Sequence, residues 1–294
     1  MSVLGLALAL DALLGAQRPP VFQSEIGLVV LQATVQDEHG DLVTGLDRSA
    51  FTVYENGKPQ AITVFRRDDV PVSLGIALDN SGSMRRKREK VEKAALALVR
   101  ASNPRDEVFL LNFADKASID VPFTADIGVL ESGIARLDSI GGTALRDAIA
   151  SGEAYMDRSA SRERKVLLVV SDGNDNASGA TRESIRRLAE RSGIVVYAIG
   201  LADEENGTGA LAELDAIAAA TGGHAYHAYR LEEVGAIALD VARRIRSQYV
   251  IGYSPRNQAN DGSYRRLRVS ARGAGRLRVH TRAGYRAAST NGMN

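Results

Sequence analysis

Apolar and polar positions follow two rhythms along this chain. From Gln23 to Arg67 the period is two: Leu28 to Val35 reads as a strand, Glu38-His39-Gly40-Asp41 as a turn, and Phe51 to Glu55 and Ile62 to Phe65 as strands joined across Asn56-Gly57. From Val72 the pattern changes. Near-continuous apolar runs at Val72 to Leu78, Val108 to Phe113, Val166 to Val170 and Val195 to Ile199, with the shorter segments Ala117 to Val121 and His224 to His227, predict strands. Between and after them, Arg85 to Ala101, Asp126 to Ile140, Ala144 to Arg158, Thr181 to Ser192, Gly209 to Thr221 and Leu231 to Ser247 predict helices. In the first helix Val91, Ala94, Ala95 and Leu98 form the i, i+3, i+4, i+7 stripe that faces a core. Period two then returns at Gln248 to Tyr253, Tyr264 to Val269 and Leu277 to His280.

Strand and helix in alternation, with strands apolar on both sides, mean a doubly wound α/β sheet covered on both faces. Ala117 to Val121 is its antiparallel edge, because the link from Phe113 is too short for a crossover. Neither flank has enough strands to bury two faces alone, and isolated hairpins are marginal in water. The flanks 21–70 and 248–286 are therefore expected to pair into one small antiparallel β-sandwich, with the α/β unit of residues 71–247 inserted between them. Residues 287–294 read as a disordered tail.

Composition narrows the class without choosing the function. With 294 residues, two structural units are the prior. The 37 basic residues are balanced by 36 acidic ones and no basic-aromatic surface stands out, which argues against a nucleic-acid partner. Cysteine is absent, which removes disulfides, zinc-thiolate sites and thiol catalysis together. Val3 to Leu10 followed by Ala12-Leu13-Leu14-Gly15-Ala16 reads as a secretory signal within residues 1–20, cleaved after Ala16, although no Lys or Arg precedes the run and Asp11 interrupts it. The run is too short to span a membrane. Export to the periplasm or the extracellular space is the expectation.

The candidate chemistry sits at strand ends. Asp79-Asn80-Ser81-Gly82-Ser83 begins where the apolar run Val72 to Leu78 stops and a charged helix starts, and in parallel sheets ligands collect at such positions. Asp79, Ser81 and Ser83 alternate, so an extended loop turns three oxygens the same way. One carboxylate and two hydroxyls are hard donors suited to Mg²⁺ or Mn²⁺. Alone the pattern is weak, since any turn uses Asp, Ser and Gly. Downstream, Gly141-Gly142-Thr143 brings a second hydroxyl to the start of a helical pattern, and Asp172-Gly173 brings a second carboxylate to the end of a second buried strand.

In type and order Asp79, Ser81, Ser83, Thr143 and Asp172 match the metal-ion-dependent adhesion site of the von Willebrand factor type A family, and the chain resembles such a domain, with its Rossmann-like fold, from about Pro71 to Ser247. With Val53-Tyr54-Glu55-Asn56-Gly57-Lys58-Pro59-Gln60, Tyr249-Val250-Ile251-Gly252-Tyr253, Asp261-Gly262-Ser263-Tyr264-Arg265 and Arg282-Ala283-Gly284-Tyr285, it resembles the A-domain-related proteins abundant in Acidobacteria, over about Val21 to Tyr285. The resemblance implies that Ser81 and Ser83 bind the metal directly, Asp79 and Asp172 directly or through water, and Thr143 in a high-affinity state. It implies a protein partner whose Asp or Glu supplies the sixth ligand. Met84-Arg85-Arg86-Lys87-Arg88 stands where integrin-type relatives carry further acidic residues, so no second adjacent metal site is expected. That basic run is either a solvated helix start or a steering surface for an acidic partner.

Other residues have plain readings beside any role. Asp175 and Asn176 form a polar turn or extend the metal's surroundings. His224 and His227, three apart on a strand, face opposite sides and do not share a metal. Tyr249 and Tyr253 share strand parity and pack a core. Ser171 has no His in its cluster to make it a nucleophile. The expected function is a metal-dependent binding module for adhesion or assembly, not an enzyme. The alternatives are a structural or assembly subunit with a vestigial site and, behind it, a metal-assisted hydrolase, which lacks a third carboxylate as general base.

Overall fold

A computed structural model of the chain describes residues 27–67, 69–135, 140–202 and 208–289. The expected export signal lies outside the described residues, as does most of the expected C-terminal tail. Four strands come first: β1 (Val29–Gln36), β2 (Phe51–Glu55), β3 (Lys58–Gln60) and β4 (Ile62–Arg66). Then follow β5 (Val72–Asp79), α1 (Arg88–Ala101), β6 (Glu107–Phe113), β7 (Ala117–Thr124), α2 (Ile127–Ile134), α3 (Leu145–Ser159) and β8 (Arg164–Ser171). Next are α4 (Arg182–Arg191), β9 (Val195–Leu201), α5 (Thr208–Thr221), β10 (Ala225–Ala228) and α6 (Glu233–Arg246). The last strands are β11 (Tyr249–Tyr253), β12 (Tyr264–Ala271), β13 (Arg278–His280) and β14 (Gly284–Arg286).

The central sheet runs β10-β9-β8-β5-β6-β7, parallel except for β7, which pairs antiparallel with β6 at the edge. Every residue of β5 is buried because helices cover both faces. Val72, Leu74, Ile76 and Leu78 pack toward Val91, Ala94 and Leu98 of α1 and Val234, Ala238 and Val241 of α6. Ala77 and, from β8, Leu167 and Val169 pack toward Leu145, Ala148 and Ile149 of α3 and Leu214 and Ile217 of α5. The order of the strands reverses between β5 and β8, since β6 lies on one side of β5 and β9 and β10 lie beyond β8. Such a reversal opens a crevice at the carboxyl ends of the two strands.

The flanks interleave. One antiparallel sheet is β13-β1-β11-β4 and the other β14-β12-β2-β3, so each contains strands from before and after the α/β unit. Leu31, Ala33, Phe51, Val53, Tyr249, Ile251, Tyr253, Leu267 and Val269 fill the space between them. The expected hairpin needs a correction. The Asn56-Gly57 turn, with positive φ at both residues, joins β2 to the short β3, whereas Ile62–Arg66 crosses to the other sheet and pairs with β11. Pro59 limits β3, since proline has no N–H to extend a ladder, and the alternation resumes only on the far side of Ala61.

Two polar clamps join the units. Arg282, between β13 and β14, donates to the carbonyls of Ala189, Glu190 and Ser192 at the end of α4. At the base of the sheet Arg164 donates to the Ile245 carbonyl and to Gln248 Oε1, and Gln248 donates to the Tyr197 hydroxyl at 3.0 Å.

Candidate metal centre

Three loops meet at the carboxyl ends of β5 and β8. The first is a tight Asx turn: Asp79, the last residue of β5, accepts the Ser81 N–H through Oδ1 at 2.9 Å. That turn sets the Ser81 and Ser83 hydroxyls 3.0 Å apart. Its backbone is fixed by Asn80 N–H to the Phe113 carbonyl at 2.7 Å and by Gly82 N–H to the Gly141 carbonyl at 3.0 Å.

The second loop carries Thr143. Gly142 N–H donates to Asp115 Oδ1 at 2.7 Å and Thr143 N–H donates to Asn176 Oδ1 at 2.8 Å. The Thr143 carbonyl in turn accepts the Asn176 and Ala177 N–H groups. Asp175 Oδ2 accepts the Arg146 N–H at 2.8 Å, at the start of α3. Asp175 and Asn176 thus tie the Thr143 loop to the third loop, and Asp115 ties it to the end of β6.

The third loop closes the crevice. Ser171 Oγ donates to Asp79 Oδ2 at 2.5 Å and accepts the Gly173 N–H at 2.9 Å. Gly173 has a φ of 79°, which lets the chain turn sharply after Asp172. The Asp172 side chain is fully buried. Its Oδ2 lies 3.2 Å from Lys87 Nζ, and its Oδ1 has no hydrogen-bond partner. Burial pushes the Asp79 carboxyl up to about 6 from 3.8, against the lowering by Ser171 and Ser81, and the neighbouring Asp172 charge adds to the rise.

Of the five residues expected from the sequence, Asp79, Ser81 and Ser83 share one turn, Asp172 meets Asp79 through Ser171, and Thr143 is held to the Asp172 loop by Asn176. Four contributors lay outside the sequence expectation: Ser171, Asp115, Asn176 as an acceptor for Thr143, and above all Lys87. The basic run is not simply solvated. Arg85 and Arg86 are exposed, but Met84 and Lys87, three residues apart, turn inward. A Lys placed i+3 from a buried Met is the signal that marks it. The donors gathered here are hard oxygens, and an orphaned buried carboxylate oxygen suits a divalent cation of the Mg²⁺ or Mn²⁺ kind.

A sequence profile of the von Willebrand factor type A domain matches residues 74–174, which span all five residues. The chain carries a von Willebrand factor type A domain match over those residues. A von Willebrand factor type A protein from Catenulispora acidiphila superposes with a TM-score of 0.52 at 14% identity, over 92% of this chain and 76% of that one. The vWF domain of the type V pili tip protein Mfa5 from Porphyromonas gingivalis gives 0.51 at 14% identity, over 60% and 95%. Proximal thread matrix protein 1 from the mussel byssus, solved with a zinc-occupied MIDAS motif, gives 0.52 at 18% identity, over 65% and 50%. At these identities the likeness is one of fold. A search of curated proteins found no match. No described helix is long and apolar enough to cross a membrane.

Proposed function

We propose that this protein is a metal-dependent binding module. Asp79, Ser81, Ser83, Thr143 and Asp172 would hold Mg²⁺ or Mn²⁺, and a partner protein would present an Asp or Glu to the remaining position. The observation that carries the reading is Asp172 Oδ1, a fully buried carboxylate oxygen without a partner, in the same crevice as the paired hydroxyls of Ser81 and Ser83. An unsatisfied buried acceptor is destabilising by about 1–3 kcal/mol, more when charged, so its presence points to a ligand. A bound divalent cation would supply a Lewis-acid position that a carboxylate can occupy. Around it Asn176 and Asp115 orient the Thr143 loop, Ser171 orients Asp79, and Arg85 and Arg86 present positive charge to an approaching acidic surface.

Binding fits this site better than hydrolysis. A general base must be a carboxylate that the ion does not hold; Asp79 and Asp172 would both be spent on the ion, and Asp115 and Asp175 accept the Gly142 and Arg146 N–H groups that fix the Thr143 loop. We also infer export, an A domain over 71–247, and a single sandwich formed by 21–70 and 248–286, with adhesion or assembly as the setting. One observation favours a second reading: the Lys87 to Asp172 ion pair satisfies half of the buried carboxylate without any metal, as a vestigial site in a structural subunit would.

Calorimetric titration of Mg²⁺ and Mn²⁺ into chelator-stripped protein separates the two. Saturable binding that is lost in Asp79→Ala and Ser81→Ala supports the module, and its metal-loaded form is then tested for capture of an acidic-peptide array with and without chelator. A folded wild type that binds neither ion, alone or with the array, leaves the structural subunit.

A further inference from the structure

Arg85, Arg86, Lys87 and Arg88 place four cations at the N-terminal end of α1, where the helix dipole favours anions. Sequences that break a local rule so consistently do so at functional or strained positions. Arg88 pairs with Glu92 one turn along the helix. Lys87 does something else. It is 9% exposed, in a class of side chain almost never buried unless paired, and its ammonium lies 3.2 Å from Oδ2 of the fully buried Asp172. Asp172 is also the carboxylate whose charge reaches Asp79, at the centre of the three loops.

Resting on the metal-site reading above, we propose that Lys87 is a built-in counter-cation. It occupies Asp172 when the crevice holds no divalent ion, and it must leave that carboxylate before the ion can bind. Two cations held against one carboxylate in a water-poor crevice repel strongly, because the screening that would permit it in water is missing. The four-carbon stem gives Lys87 the freedom to move, since its backbone can stay in place while the ammonium swings toward solvent. The lysine therefore sets the ion concentration at which the site loads. Once displaced, its charge joins those of Arg85 and Arg86 at the rim, so loading also makes the surface more attractive to an acidic partner.

The test uses the whole chain and Mn²⁺ and Mg²⁺ as probes. Calorimetry should find Lys87→Met binding Mn²⁺ at least tenfold more tightly than wild type, with Lys87→Arg close to wild type. A second measurement needs no Lys87 variant: acylation of surface amines by an N-hydroxysuccinimide ester, read by mass spectrometry. Modification of Lys87 should rise several-fold when saturating Mg²⁺ is added to wild type and should not change in Asp79→Asn. If wild type binds Mn²⁺ but a folded Lys87→Met binds no more tightly, or Lys87 stays shielded under Mg²⁺, the lysine is a fixed structural partner and the proposal is overturned while the metal site stands. If neither wild type nor Lys87→Met binds either ion, the metal site and the proposal fall together. Should Lys87→Met not fold, the acylation result decides alone.

Discussion

Replacing Asp79 by Asn is expected to make the metal-free protein more stable, not less. Asp79 is 4% exposed, and its carboxyl is pushed up from 3.8 to about 6, chiefly by burial. A carboxyl harder to ionise in the folded chain than in the unfolded one stabilises the fold while protonated. That contribution is complete below about pH 4 and is lost as pH rises through 6. The gap corresponds to roughly 3 kcal/mol at neutral pH, which the folded protein forgoes by keeping the group ionised. Asparagine has the same shape without the charge. Its carbonyl can still accept the Ser81 N–H, and its amide can donate to Ser171 Oγ, whose orientation reverses. Allowing for an imperfect exchange at Ser171, the variant should gain about 1–3 kcal/mol at pH 7.5 in chelator and about 2 kcal/mol less than that at pH 4.5. Urea unfolding followed by far-ultraviolet circular dichroism is the assay, since the chain has no Trp to serve as a fluorescence probe. Under the metal-site reading, Mg²⁺ at a hundred times its Kd stabilises wild type by about 2.7 kcal/mol and leaves the variant unmoved, which closes the gap. A variant no more stable than wild type at pH 7.5 in chelator, or one with the same advantage at pH 4.5, refutes the reasoning.

Three further outcomes follow from the contacts. Asn176→Ala removes the acceptor for the Thr143 N–H and should weaken Mn²⁺ binding about tenfold in calorimetry, as loss of a ligand's orienting partner does; unchanged affinity would mean that Thr143 needs no positioning. Arg282→Ala leaves three carbonyls at the end of α4 without their donor and should lower stability by about 2–4 kcal/mol in urea, with Arg282→Lys recovering only part of it; a loss below about 0.5 kcal/mol would show that the clamp is not holding the units together. His224 and His280 pack edge to face between β10 and β13, both held below the usual histidine range, first by burial and then by the Arg244 charge. Their folded-state stability is present above about pH 6.5 and lost as pH falls through their lowered values, so His280→Gln should flatten the acid limb of a stability profile that wild type shows.

The parts of the fold legible in the sequence were those decided by periodicity. Val72 to Leu78 is apolar at every position but Ser73 because both faces of β5 are covered, and a near-continuous run of that kind reads as a buried strand. The pairing of the two flanks was legible from insufficiency, since neither had strands enough to close a core, and Leu31, Phe51, Tyr249 and Leu267 now fill one core together. What stayed hidden was set by partners distant in sequence. Ile62–Arg66 reads as the second arm of a hairpin until β11, nearly two hundred residues away, takes it into the other sheet. Asn176 reads as part of a polar turn or of the metal's surroundings and Asp115 carries no signal of its own, because a side-chain acceptor reveals nothing of the N–H it will meet. Lys87 hid among arginines, and only Asp172, 85 positions on, separates it from them.

The charges at the crevice give the site its logic. In the metal-free crevice the Lys87 ammonium faces Asp172, while burial and the Asp172 charge both oppose ionisation of Asp79. Below about pH 6 a proton on Asp79 relieves that opposition, and above it a divalent ion can. If Lys87 stayed in place beside that ion, the crevice would hold an excess of positive charge and Asp172 would be shared between two cations. With Lys87 displaced, two carboxylates balance two ionic charges, and a third carboxylate can enter only at the price of one new negative charge, set against the basic rim that Lys87 has joined. The same ammonium therefore stabilises the metal-free crevice from within and favours the partner from outside, and its position, rather than any change in the ligands, separates the two states.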